Sequence, residues 1–222
     1  MLVMPCPILV RNLYMSVDPY MRGCMNEGES YIAPFQIGSV LEGGAVGVVV
    51  DSADDKFRVG DAVSHFCGWR DHALLYAPDL TLLNTERVAI QAYLGALGLP
   101  GHAAYFGLLH IAKPKAGETV FVSSAVGAVG SVVVQIAKLK GCRVIGSVGS
   151  EAKAQWLRED LGLDAVINYN EEPYLEAALR RAATEGINVY FDNVGGAYLG
   201  AAIAVANNFA RFPLCGMVGQ YS

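Results

Sequence analysis

Residues 119–142 read TVFVSSAVGAVGSVVVQIAKLKGC, and the change of rhythm inside this stretch decides the fold. Thr119–Ser123 is a short apolar run of the kind that forms a buried strand. Val129, Val132, Val133, Ile136 and Ala137 then recur on one helical face, with Lys138 and Lys140 outside it. Gly141 is expected just past the end of that helix, where a left-handed residue closes the last turn. Between strand and helix stands SAVGAVG, in which Ala125, Gly127 and Gly130 occupy the three places of G-x-G-x-x-G, with Ala128 and Val129 inside the loop. Gly127 lets the backbone approach a pyrophosphate and Gly130 lets the helix pack close to the strand. The helix N-terminus offers N–H groups and the positive end of its dipole. A structural glycine turn is the plain alternative; the strand before and the helix after favour a dinucleotide.

Downstream the alternation continues. Strands are expected at RVIGSV (143–148), AVIN (165–168), VYFD (189–192) and RFPLCG (211–216). Helices are expected over Glu151–Leu161, Tyr174–Thr184 and Ala197–Val205. Five strands with crossovers of this length give a parallel, doubly wound α/β sheet of the Rossmann type. At the end of the second strand, where a carboxylate would hold the ribose 2′-hydroxyl of NAD, the chain has Gly149 and Ser150. The repulsive charge is missing, so a 2′-phosphate can enter, and Lys153 lies one turn into the next helix to meet it. Lys153 also reads as a solvated helix lysine, and Glu151 beside it as a first-turn acid or a charge that blunts the local potential.

Upstream, Ile8–Tyr76 alternates short apolar runs with turn signals, as in PILVRNLYMSV, SVLEGGAVGVVV and HALLYA, which is all-β punctuation. Val59–Asp61 is expected to turn the chain back into a small barrel. Residues 1–110 are therefore expected to form a partial barrel-like, substrate-side domain and 111–222 the nucleotide-binding domain. Val88–Ala112 carries no Asp, Glu, Lys or Arg. Gly95, Gly98, Pro100 and Gly101 break it, and His102 and His110 would be costly in hydrocarbon, so helical pieces are expected there rather than a membrane span.

The chain has 222 residues, 53% of them hydrophobic, and a net charge of −5, which excludes a disordered chain and gives no basic surface for nucleic acid. Its five cysteines form no C-x-x-C pair, and no signal peptide is recognisable, so a reducing cytoplasm is expected. His65, Cys67 and His72 are the closest approach to a metal-ligand grouping and read better as strand residues.

Together RNLYMSVDPYMRG, EGGAVGVVV, YLGALGLPGHAAYFGLL, KAGETVFVSSAVGAVGSVVVQIAKLKGCRVIG and VYFDNVGG resemble the zinc-independent medium-chain dehydrogenase/reductases, in the branch of the prostaglandin, 2-alkenal and curcumin reductases. The resemblance runs from about Ile8 to Ser222 and implies a GroES-like first domain. It also implies NADP(H)-dependent reduction of the carbon–carbon double bond of an enone or enal, with hydride passing to the β-carbon. Conjugation spreads the arriving charge into an enolate, so a hydroxyl near the carbonyl oxygen can replace a metal. The resemblance assigns that substrate side to Tyr221, in CGMVGQYS with Cys215, and to Tyr31. It assigns the 2′-phosphate to Lys153, Tyr169 and Ser150, and the nicotinamide ribose to Asn193. Plain alternatives stand beside these: a strand-end aromatic for Tyr169, an Asx turn for Asn193, a loop aromatic for Tyr31.

Relatives of this kind continue beyond the fifth strand and begin with a hairpin that MLVMPCP replaces, so a truncated product is expected, with homodimerisation in doubt. A non-catalytic NADP-binding remnant and a quinone reductase of the same superfamily are the alternatives to an enone reductase.

Overall fold

The structure, a computed structural model, describes residues 6–27 and 32–221. Contacts divide the chain into two compact units, Met1–Gly98 and Leu99–Ser222, a division ahead of the one expected at residue 110. Residues 99–112 belong with the second unit because Ala104, Leu108 and Ala112 are buried in its core.

In the first unit, β1 (Ile8–Met15) is followed by the helical turn α1 (Tyr20–Cys24), β2 (Ala45–Ser52), β3 (Ala62–His65), β4 (His72–Leu75) and β5 (Thr81–Leu82). They form an antiparallel sheet in the order β4-β1-β2-β3-β5. The period-two pattern selects its inner face. Ile8 and Val10 of β1 and Ala73 and Leu75 of β4 are buried, and Val49, Phe57, Val63 and Leu80 complete the core. Burial of each large aliphatic chain contributes about 1.5 to 3 kcal/mol. At the expected turn, the Asp61 carboxylate accepts the Arg58 N–H at 2.7 Å and the Asp61 carbonyl accepts the Val49 N–H at 2.9 Å, which returns β3 alongside β2.

The second unit opens with α2 (Leu99–Tyr105), which runs into a π-helical segment, Phe106–Ala112. The uncharged stretch noted above is thus broken, and no helix among the described residues is long and apolar enough to cross a membrane. Then follow β6 (Thr119–Val122), α3 (Gly130–Leu139), β7 (Arg143–Val148), α4 (Glu151–Glu159), β8 (Ala165–Asn168), α5 (Leu175–Ala182), β9 (Ile187–Phe191), α6 (Ala197–Val205) and β10 (Ala206–Arg211). Gly141 has φ +74 past α3, and Cys142 N–H returns to the Ala137 carbonyl at 3.1 Å, the helix stop expected there.

All five strands are parallel, in the order β10-β9-β6-β7-β8. The first strand of the unit is central and the order reverses beside it, as in a Rossmann fold. Buried on both faces, the sheet shows continuous apolar runs. Val120, Val122 and Val144 face a core shared with α3 and α4, while Phe121 and Ile145 face one shared with α5 and α6.

The fifth strand departs from expectation. It runs Ala206–Arg211, directly after α6, and so shares only Arg211 with the expected 211–216 stretch, beyond which an isolated bridge joins Asp192 and Leu214. Its register against β9 slips between Ala206 and Arg211, and Phe209 has φ +63 with its side chain in solvent. Its six residues, ANNFAR, are partly or fully exposed and carry no apolar period for sequence reading to detect.

Candidate functional site

β6 ends at Val122, and the chain turns on Ser124, whose φ is +51. Because Ser124 takes the left-handed conformation, the residue at the first glycine place can carry a methyl group without backbone strain. That Ala125 methyl is buried over Gly146 of β7, where an added Cβ would come within 2.8 Å of it. A Cβ at Gly130 would run into the Ser124 carbonyl and lie 3.0 Å from the Ala125 Cα, so the start of α3 approaches the loop as closely as the third glycine of the pattern requires. Ala128 is exposed and Val129 packs against the core. Val129 caps α3 without a side-chain hydrogen bond, so no polar side chain neutralises the positive end of the helix.

A cleft of about 400 Å³ opens at the carboxyl ends of the strands. Ser124, Val126 and Gly127 after β6 face Ser147, Val148 and Gly149 of β7, with Lys153, Tyr169, Val194, Tyr198, Val218 and Gly219 completing the wall. It therefore straddles β6 and β9, where the strand order reverses and ligands of open α/β sheets bind. Of the residues singled out from sequence, it gathers Gly127, Gly149, Lys153 and Tyr169. Ser124, Ser147, Tyr198, Val218 and Gly219 were not foreseen.

At the end of β7 the absence of a side chain has a direct use. A Cβ on Gly149 would lie 2.7 Å from Cζ of Tyr169, so the phenol rests on the glycine backbone. Asn170 Nδ2 donates to the Gly149 carbonyl at 2.6 Å and ties the two loops together. Ser150 is the N-cap of α4, its hydroxyl accepting from the Lys153 N–H at 3.4 Å. Glu151 does not face Lys153, since its carboxylate is taken by Arg158 of the same helix. Lys153 is exposed and makes no ion pair among the described residues. The edge of the cleft therefore carries one ammonium and a phenol, with no carboxylate in its wall.

The opposite side is fixed by a buried network. Asp192 Oδ1 accepts from the Tyr190 hydroxyl at 2.6 Å, from Val194 N–H at 2.9 Å and from Gly195 N–H at 2.7 Å. Burial, then the bond to Asp192, raise the Tyr190 phenol well above its usual pKa. The carboxylate that organises this turn is thus Asp192. Asn193 instead donates its N–H to Ser123 Oγ at 2.9 Å and its Nδ2 to the Ser123 carbonyl at 2.8 Å. The segment after β10 packs along the same turn, with Cys215 N–H on the Asp192 carbonyl at 2.8 Å and Gly219 N–H on the Val194 carbonyl at 3.1 Å. The Cys215 side chain is exposed and outside the cleft wall. Tyr221 follows the turn Val218–Gln220, two residues beyond cleft-lining Gly219, and is partly exposed. Tyr31 lies outside the described residues. Among the described residues no three His, Cys, Asp or Glu side chains converge as metal ligands.

A parallel sheet with central first strand, glycine loop and cleft at its switch point defines a Rossmann nucleotide-binding unit, which follows an antiparallel β domain along the chain. Two family models match in that order: one described as the N-terminal domain of oxidoreductase over residues 3–83, and one described as zinc-binding dehydrogenase over residues 128–222. The chain belongs to the medium-chain dehydrogenase/reductase family, in the branch of the prostaglandin, 2-alkenal and curcumin reductases. It is 44% identical over 218 residues to an NADP(+)-dependent 2-alkenal reductase of Nicotiana tabacum, covering 97% of this chain and 63% of that protein. It is 42% identical over 215 residues to the NADPH-dependent curcumin reductase of Escherichia coli (strain K12), covering 97% of this chain and 62% of that protein. The crystal structure of CurA from Vibrio vulnificus in complex with NADPH matches with a TM-score of 0.91 at 42% identity, over 97% of this chain and 64% of that one. The chain spans less than two thirds of the length of these relatives.

Proposed function

We propose that this chain carries the NADP(H) site of an oxidoreductase that reduces the carbon–carbon double bond of α,β-unsaturated ketones or aldehydes. The observation that carries the reading is the edge of the cleft: Gly149 where an NAD enzyme needs an acid, a phenol lying on it, and Lys153 beside it with no ion-pair partner among the described residues. Lys153, Tyr169 and the capping Ser150 would hold the 2′-phosphate. Gly127 and the uncapped start of α3 suit the pyrophosphate. Asn193, tied through Nδ2 to Ser123, keeps its Oδ1 for the ribose on the nicotinamide side, next to Cys215. When bound, NADPH supplies the hydride that the β-carbon receives. The work left to the protein is to hold the enone and place a hydroxyl donor against the carbonyl oxygen, where negative charge collects. Tyr221 is assigned that role, with Tyr31 as a second substrate-side residue. The names of the relatives support the cofactor and the substrate class.

Replacing Lys153 by Ala tests the reading, because one charge-assisted contact is worth about 1.5 to 3 kcal/mol. Calorimetric titration is expected to show about 10- to 150-fold weaker NADPH binding with NADH little changed. Equal weakening of both would remove the NADP(H) assignment. Consumption of NADPH on adding a trans-2-enal, and not a quinone, checks the substrate class; no enone-dependent oxidation would remove it.

A further inference from the structure

Tyr198 stands in the first turn of α6, behind Tyr169. The two rings meet edge to face, with centroids 6.1 Å apart and planes at 89°. Tyr198 is anchored from behind. Its ring packs on the core shared by α5 and α6, and its hydroxyl oxygen is buried near Ser147 Oγ at the end of β7. Neither oxygen meets a partner at hydrogen-bond geometry among the described residues. Burial dominates and pushes the Tyr198 phenol up to about 12, with Ser147 drawing it back down in part. A neutral phenol wedged in this way stays where the core puts it.

Tyr169 is not anchored in that manner. It is 44% exposed, and its phenol lies in the gap left by Gly149, with the Tyr198 ring perpendicular to its own. A side chain that keeps one pose before the ligand arrives loses less rotamer freedom on binding. We infer that Tyr198 is a positioning residue that holds Tyr169 over Gly149 and so sets the preference of the cleft for a 2′-phosphorylated nucleotide. The inference rests on the NADP(H) reading above. It adds a determinant from α6 that acts through Tyr169.

The test uses two probes that differ by the 2′-phosphate alone, 2′,5′-ADP and 5′-AMP, titrated calorimetrically into the full chain. Tyr198→Leu keeps apolar bulk in the core and removes the ring edge. Tyr198→Met replaces it if the leucine variant melts early. Loss of an edge-to-face support is expected to weaken 2′,5′-ADP by about three- to tenfold and to leave 5′-AMP within about twofold. Tyr198→Phe retains the ring and is expected to bind both probes as the unmodified chain does. In a Tyr169→Leu background, Tyr198→Leu is expected to have no further effect, because the residue it supports is gone. Equal loss for both probes, no loss for either, a phenylalanine variant as weak as the leucine one, or an undiminished effect in the Tyr169→Leu background overturns the inference. An unmodified chain that does not prefer 2′,5′-ADP marks instead the failure of the underlying cofactor reading.

Discussion

Replacing Gly149 by Ala asks whether the missing side chain at the end of β7 sets cofactor choice. The backbone there is not left-handed, so alanine strains nothing in β7 itself. Its Cβ would lie 2.7 Å from Cζ and 3.2 Å from Cε2 of Tyr169, well inside van der Waals contact. The obstructing atoms belong to the exposed end of a flexible side chain, so the phenol swings outward and the strand stays in place. The fold then loses the edge contact with Tyr198, about 0.5 to 1.5 kcal/mol. That shifts the melting temperature by a few degrees at most. The nucleotide site loses one hydrogen bond to a charged phosphate, about 1.5 to 3 kcal/mol, which is about a 10- to 150-fold rise in Kd for NADPH. NADH has no phosphate to lose and should bind within about twofold of the original value. Paired calorimetric titrations with NADPH and NADH, with melting curves on the same samples, read all three quantities. Unchanged NADPH affinity would refute the role given to Tyr169 in this pose; equal loss of NADH would show that the methyl group obstructs the ribose itself.

Asp192→Asn should destabilise the second unit by about 1 to 3 kcal/mol, because a neutral amide oxygen accepts more weakly than the buried carboxylate oxygen that takes bonds from Tyr190, Val194 and Gly195 at 2.6 to 2.9 Å. Urea unfolding measures the loss, and an unchanged midpoint would contradict the network. In the first unit, burial and then Arg70 lower the pKa of His65 to about 4, and its Nδ1 accepts the Cys67 N–H at 3.1 Å, leaving the proton on Nε2. The folded value lies below the unfolded 6.5, so His65 contributes stability that is present above pH 6.5 and is lost as pH falls through 4. The contribution at stake is about 3 kcal/mol. Urea midpoints of the unmodified chain should therefore fall relative to His65→Leu between pH 6.5 and 4, and parallel curves for the two would sink the assignment.

The alternation of strand and helix from Thr119 onward, the turn at Asp61, the stop at Gly141 and the Ser124–Gly130 loop were all legible in the sequence. Each depends on periods and conformational preferences that act within a few residues. The uncharged stretch 88–112 was legible as broken helix for the same reason. That its second half packs as a π-helical segment into the core of the second unit was not, since helix type there depends on neighbours distant in sequence. The position of β10 was hidden because ANNFAR bears no apolar period and is held to β9 by backbone bonds.

At the cleft, residue types alone indicated Gly127, Gly149 and Lys153, because a glycine loop, a missing acid and a nearby cation are statements about local chemistry, whereas Tyr169 came only from the family resemblance. Only the folded chain decided that the left-handed turn falls on Ser124 so that Ala125 is tolerated, that Arg158 removes Glu151 from the field of Lys153, and that Asp192 organises the turn beside Asn193. It also decided that Tyr198 supports Tyr169. The Asn193–Ser123 bonds join positions 70 residues apart and the Tyr198–Tyr169 contact joins α6 to the loop after β8, which no spacing in the sequence encodes. Local preference selects the strands and helices, and burial against distant partners then determines which side chains meet.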